Sequence, residues 1–273
     1  MRRLVLFLAV AGSLALGGCG GVPGGWGLNA RSTVSETRAL AKDGSFELDN
    51  TNGRIEVTGW DEAKVSIEGT KRAVSERALE RMKIEITGEG DTLRVRTRFS
   101  KGSWFGGGGR VDYVVRVPRT AKVRVENVNG RVEVDGVIAE VAASTTNGSV
   151  EVSGAEGAVD ASVVNGTVSV ALARVDPKGR SSMSTTNGSI RLTLPADAGA
   201  EIDARTVNGG IGCDFDLADE TRSRRRLEGR IGSGGARFEL RTVNGAVNID
   251  RGHPSRSASS PPAEATPAAT ESR

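Results

Sequence analysis

The chain has 273 residues, enough for one large or two small domains, with 37% hydrophobic residues but only 4% aromatic. A core must be built from Val, Ile, Leu and Ala in thin layers, and 37 glycines imply many turns. Lys and Arg number 37 against 34 Asp and Glu. Loss of Arg2 and Arg3 with a cleaved leader leaves 35 against 34, a balance of +1, which offers no electrostatic footprint for nucleic acid.

Arg2 and Arg3 open the chain, and "LVLFLAVAGSLAL", Leu4 to Leu16, is an apolar run of thirteen residues. Crossing a bilayer takes roughly 20 apolar residues, so the run reads as the core of a secretory signal, residues 1–18. "LGGC", Leu16 to Cys19, is similar to a bacterial lipobox. That resemblance implies cleavage before Cys19 and acylation, palmitate included, of its thiol and new amino group. The expected location is exported and membrane-anchored. Gly20 follows the cysteine, where Asp would resemble an inner-membrane retention signal, so the outer membrane is expected in a Gram-negative cell and the plasma membrane in a Gram-positive one.

Residues 19–34, with "GGVPGGWG" at Gly20 to Gly27, read as a flexible tether. Residues 35–250 read as one domain. Residues 251–273, rich in Ser, Ala and Pro, lack the apolar content to pack and read as a disordered tail, which holds the only histidine, His253.

Within the domain, Asn-Gly recurs at Asn52, Asn129, Asn147, Asn165, Asn187, Asn208 and Asn244, with gaps of 77, 18, 18, 22, 21 and 36. A recurring phrase near an 18-residue period signals a repeat architecture. Three residues after each Asn stand Ile55, Val132, Val150, Val168, Ile190, Ile211 and Val247. Five after it stand Val57, Val134, Val152, Val170, Leu192, Cys213 and Ile249. The positions four and six before it are mostly apolar too. Apolar residues two apart belong to strands with one buried face, and Glu56, Arg124, Glu126, Glu133, Glu151, Asp160, Arg191 and Glu239 between them should face water.

Two architectures share this pattern. Seven two-residue hairpins would build an antiparallel barrel or sandwich. Stacked coils would build a β-solenoid. Two residues before Asn stand Asn50, Asn127, Thr145, Val163, Thr185, Thr206 and Thr242. A polar, mostly β-branched column favours stacking, with like side chains hydrogen-bonded in a ladder. The expected fold is therefore all-β: a single solenoid of 18–22-residue coils with one short capping helix. Small residues from opposite walls should fill its interior.

The long gap after Asn52 holds a strand at Lys64 to Lys71. A short helix follows over Ser75 to Met82, with Val74, Ala78, Leu79 and Met82 on one face, lying across the end of the sheet. A hairpin is expected to turn at Gly88 to Asp91. "SKGSWFGGGGR", Ser100 to Arg110, sets Trp104 and Phe105 beside four glycines. It reads either as a mobile aromatic contact loop or as a long hairpin loop whose aromatics fold back. "TRSRRR", with Arg222, Arg224, Arg225 and Arg226, follows acidic "CDFDLADE". It reads as an anion-binding loop or as a solvated loop of balanced charge; Asp214, Asp216 and Asp219 match no defined calcium loop.

With Cys19 acylated, Cys213 has no disulfide partner and reads as a small buried core residue. No serine elbow and no phosphate loop are present, and a single histidine excludes a Ser-His-Asp triad and a His-rich zinc site. No metal or cofactor is expected. Carboxylate pairs need no histidine, but no outward column concentrates acid, which argues against a polysaccharide-active solenoid enzyme.

"LDNTNGRIEVTGWDEAKVSIEGTKRA" (Leu48 to Ala73), "DTLRVRTRF", "YVVRVPRTAKVRVENVNGRVEVDGV" and "GRIGSGGARFELRTVNGAVNI" together resemble the bacterial putative-adhesin family of β-strand-repeat envelope proteins, over about Ser35 to Asp250. That family is a domain of unknown function, related in style to the head domain of putative autotransporter adhesins. The resemblance implies a β-solenoid, an exported location and no known catalysis. The chain departs from the family by its Trp104 loop and by Arg222 to Arg226, where specific binding would sit. The expected role is adhesion, scaffolding or recognition of an envelope protein or polysaccharide. A polysaccharide-active enzyme and a partner-binding module in envelope stress signalling are the alternatives.

Overall fold

The computed structural model describes residues 28, 30–99 and 109–252. The signal segment, Cys19, Trp104, Phe105 and His253 lie outside the described residues.

Alternation of apolar and polar residues produces twenty strands and one helix in these regions. The N-terminal part holds β1 (Ala30–Asp49), β2 (Ile55–Trp60), β3 (Lys64–Ala73), α1 (Glu76–Glu80), β4 (Met82–Thr87), β5 (Gly90–Phe99) and β6 (Gly109–Pro118). Regular coils follow as strand pairs: β7 (Lys122–Asn129) with β8 (Val132–Asp135), β9 (Val141–Asn147) with β10 (Val150–Ala155), and β11 (Val159–Asn165) with β12 (Val168–Leu172). Next come β13 (Arg180–Asn187) with β14 (Ile190–Pro195) and β15 (Ala200–Asn208) with β16 (Ile211–Cys213). The chain ends in β17 (Leu217–Ser223), β18 (Arg226–Ile231), β19 (Ala236–Asn244) and β20 (Val247–Gly252). Strand structure thus takes in Ala30 to Val34 of the expected tether, and Arg251 and Gly252 of the expected tail.

Each Asn-Gly is a corner. The strand before it lies in a front sheet, and the strand after it lies in a back sheet. Neighbouring coils pair parallel and in register, for example Val150↔Val168 in the back sheet and Asn147↔Asn165 at the corner. The strands flanking one Asn-Gly do not pair with each other, so the structure is a β-solenoid and not a set of hairpins. The front sheet runs β4, β5, β1, β7, β9, β11, β13, β19, β15, β18, β17. The back sheet runs β1, β3, β6, β2, β8, β10, β12, β14, β20, β16. Twenty-residue β1 joins the two, pairing with β3 through Ala30 to Ala39 and with β5 and β7 through its second half.

Spatial order therefore departs from chain order at both ends. The β1–β2 coil sits between β5–β6 and β7–β8. The last coil, β19–β20, is wedged between β13–β14 and β15–β16. Antiparallel strands close the stack: the first half of β1 on β3, with β4, at one end, and β18 and β17 at the other. They cover edges that would otherwise offer unpaired backbone groups.

The inward columns meet between the sheets. Val123, Val125, Val141, Val159, Val132, Val150 and Val168 are all at most 2% exposed. The middle of the rod is narrow, and larger side chains, Phe46 and Leu48 or Phe238 and Leu240, fill the first and the wedged coil. Each buried Val or Ile contributes about 1.5–3 kcal/mol, so stability is spread along the stack.

Helix α1 carries the chain from β3 to β4, between the two sheets at one end of the rod. Ser75 caps it, accepting from the Ala78 N–H at 3.3 Å, and Leu79 packs inward. Val74, expected on the buried face, is 45% exposed because it precedes the cap and lies outside the helical phase.

Candidate binding surface

The corner is the most regular feature of the surface. Asn129 donates its side-chain amide to the side-chain carbonyl of Asn52 at 2.7 Å. The same bond recurs from Asn147 to Asn129, Asn165 to Asn147 and Asn187 to Asn165, each at 2.9 Å, then from Asn244 to Asn187 and Asn208 to Asn244, each at 2.8 Å. Asn52 closes one end by donating to the Gly109 carbonyl at 3.4 Å. Seven amides thus form one directed ladder.

The ladder expected two residues earlier is not there. Thr185 and Thr242 instead donate to the carbonyls of Gly166 and Gly188, and Thr206 to that of Gly245, each at 3.0 Å; Thr145 reaches Gly130 at 3.2 Å. Asn127 does the same to Gly53 at 2.9 Å. The column is buried beside the corner, so its donors satisfy a backbone carbonyl that points along the stack and lacks a strand partner. Glycine is required there. Gly166 has φ +141°, and a Cβ on it would lie 1.6 Å from the Gly148 carbonyl oxygen.

Immediately before each Asn stands a β-branched residue: along the rod, Thr51, Val128, Thr146, Val164, Thr186, Val243 and Val207. The four valines are 40–51% exposed. Sequence reasoning missed this edge, although its signal was available: in all seven repeats the residue before Asn is uncharged.

The sheet faces are different, because ion pairs tie their charges across coils. Arg96 meets Asp49 at 2.7 Å, Arg94 meets Glu47, and Arg54 and Arg131 both reach Glu133. Burial raises the Glu133 carboxyl, but hydrogen bonds from Arg54 and Arg131 outweigh it and hold the group below its ordinary value. On the front face a shallow depression of about 280 Å³ is floored by Ala142, Ser144, Ser162 and Ser182, beside Arg124 and Glu126.

The arginine-rich segment is a hairpin, not a free loop. Arg222 ends in β17, pairs with Glu220 at 3.2 Å and donates to the Ile211 carbonyl at 3.4 Å, covering the edge of terminal β16. Arg226 opens β18 and pairs with Glu228, whose carboxyl it holds low by hydrogen bonding. Arg224 and Arg225 form the exposed tip and make no ion pair among the described residues. Asp219 pairs with Arg230 at 2.8 Å. Among the described residues no three His, Cys, Asp or Glu side chains gather as a metal site.

Cys213, expected in the buried core, is only half-buried, because β16 is the outermost back-sheet strand. Burial still pushes its thiol above the ordinary value. No helix among the described residues is long and apolar enough to cross a membrane.

No curated protein matches the chain. A solved structure from Clostridium sporogenes, described as a putative cell adhesion protein, is 14% identical, with 81% of this chain and 100% of that chain covered at a TM-score of 0.46. A putative adhesin from Bacteroides fragilis is 12% identical, covering 81% and 97% at a TM-score of 0.38. A protein from Parabacteroides distasonis described as a putative lipid binding protein is 12% identical, covering 82% and 98% at 0.36. The stacked coils of residues 119–250 match the family model described as Toastrack DUF4097. Over those residues the chain carries a Toastrack DUF4097 domain, a domain of unknown function.

Proposed function

We propose that the protein is a lipid-anchored, non-enzymatic component of the bacterial cell envelope, an adhesin-like scaffold that binds through its outside. The observation that carries this reading is the filled stack: inward columns close on one another, so what remains for recognition is an outer surface of repeated side chains. Carboxylates on the sheet faces, including Glu47, Asp49, Glu133, Asp203 and Glu228, are engaged by arginines, which supports a binding surface over a pair of catalytic acids. Cys19 carries the anchor in this reading, and each buried CH₂ of its acyl chains contributes about 0.8 kcal/mol, so two or three chains hold firmly. Trp104, Phe105 and the Arg224–Arg225 tip are its candidate contact residues.

Two experiments test this. A Cys19→Ser chain is expected to leave the membrane fraction of its host; retention as firm as the parent's contradicts the anchor. Cross-linking in intact envelopes, with and without residues 100–110, is expected to capture an envelope component that depends on that segment. Equal capture removes Trp104 and Phe105 from the binding surface.

A further inference from the structure

The corner edge has a composition that the fold alone does not demand. Its fourteen residues, seven Asn and the seven before them, carry no charge, in a chain that is 26% charged. Every neighbouring outward column does carry charge: Glu126, Arg205 and Arg241 on the front side, Arg54 and Arg131 on the back side. Four of the seven exposed large apolar side chains among the described residues stand on this single line.

Hydrogen-bonding capacity is also left over. A side-chain amide has two N–H donors and a carbonyl with two lone pairs. An inner rung such as Asn165 spends one donor on Asn147 and one lone pair on Asn187. One donor and one acceptor per rung remain unused within the fold. Each rung therefore pairs a methyl-bearing side chain with a half-free amide.

The dimensions restrict what fits. Seven rungs at about 4.8 Å make an edge roughly 29 Å long. Two residue columns wide, it covers on the order of 300 Å², well under the ~800 Å² per partner of a stable protein interface. A second copy of this chain is therefore too broad an occupant for the contact available. An extended peptide adding to a sheet needs open backbone donors, but the corner glycine N–H groups of every coil except the terminal one are spent on the next coil, as from Gly148 to the Asn165 carbonyl at 3.0 Å. A narrow, linear, uncharged polymer remains.

We propose that this edge binds a linear polysaccharide of N-acetylated hexosamines laid along the rod axis. The inference rests on the envelope-binding reading above and names its surface and ligand class. An acetamido sugar presents a methyl group beside an amide, the same pairing that each rung presents. In an extended β-linked chain successive sugars flip, so the acetamido groups face one side at every second residue. Over the inner coils Val128, Val164 and Val243 likewise come at every second coil, roughly 9.6 Å apart, with Thr146 and Thr186 between them, and Val207 follows Val243 directly on the terminal coil.

The test is co-sedimentation of the full-length mature protein with insoluble chitin, and with cellulose as the same backbone without acetamido groups. The expected result is chitin binding at least tenfold tighter than cellulose binding and little changed by salt, since neither surface is charged. Val164→Lys combined with Thr146→Lys is expected to weaken it at least tenfold. Ala173→Lys on the opposite edge is expected to leave it unchanged. Thermal unfolding of each variant confirms that the stack is intact, and Val164→Ser replaces the lysine pair if it is not. A folded parent that ignores chitin, equal binding to both polymers, or full binding by a folded edge variant would overturn the proposal. Loss of Cys19-dependent anchoring would overturn the envelope reading while leaving chitin binding in place, so the two failures are distinguishable.

Discussion

The side-chain amide of Asn244 donates to the side-chain carbonyl of Asn187 at 2.8 Å, across 57 residues of chain. Chain order would put Asn208 in that position; instead Asn208 donates to Asn244 from the far side. The last coil is clamped on both faces, as is the first, where β1 lies between β5 and β7. Repeat stacks fray from their terminal units. Here the chain leaves through an inner coil, so pulling on its C-terminal end must open two ladders at once, whereas the N-terminal half of β1 pairs with β3 alone.

Ladder bonds should be felt in proportion to their number. Asn187 makes two, to Asn165 and from Asn244, whereas Asn208 makes one. At about 0.5–1.5 kcal/mol per bond, Asn187→Ala should cost about twice as much as Asn208→Ala. Urea unfolding of both variants measures the ratio, and equal costs would show that the ladder adds nothing beyond the backbone.

The glycine column separates sterics from composition. Gly166→Ala forces a Cβ into the Gly148 carbonyl at positive φ and should cost about 4 kcal/mol or more. Gly210→Ala meets nothing within 4 Å and should change stability by less than about 0.5 kcal/mol. Chemical denaturation of the pair checks both values, and a mild Gly166→Ala would contradict the close stacking.

Val163 is the one apolar member of the buried column, whose other members donate to a glycine carbonyl, except Asn50, which donates to the Asn52 and Val111 carbonyls. Val163→Thr supplies the missing donor for the Gly148 carbonyl and should stabilise by up to about 1 kcal/mol. The reverse change, Thr185→Val, strips Gly166 of its donor and should cost about 1–3 kcal/mol. Opposite signs in thermal melts are the expected outcome.

Tyr113 is the only tyrosine, so phenolate absorbance reports it alone. Burial pushes its hydroxyl up to about 12, partly offset by its 2.7 Å bond with Thr97. The folded state keeps a proton that the unfolded chain releases near pH ~10. The stability from this group is therefore complete below about pH 10 and is lost as pH rises through about 12. A native titration midpoint near that of the denatured chain would contradict the packing around Tyr113.

The coils, their corners and their inward columns could be read from the sequence, because strand alternation and Asn-Gly are local signals. Coil order could not. Thr185, Thr206 and Thr242, like Ile190, Ile211 and Val247, are interchangeable as neighbours, so local sequence ranks no partner above another. A subtler signal was present: Gly209, Gly210, Gly212 and Cys213 suit an outer coil, while Phe238 and Leu240 need cover on both sides. The corner edge was missed because exposed positions were read for charge, and its character lies in having none.

Paired cysteines test the wedged stack most directly. In a chain whose own Cys19 and Cys213 are changed to Ser, Ser184→Cys with Arg241→Cys should cross-link readily through a short thiol reagent, since Ser184 and Arg241 are register neighbours. Ser184→Cys with Arg205→Cys should not, because those sites lie two rungs apart, roughly 9.6 Å. Efficient linkage of the second pair and none of the first would mean that coils follow chain order, and would contradict the account.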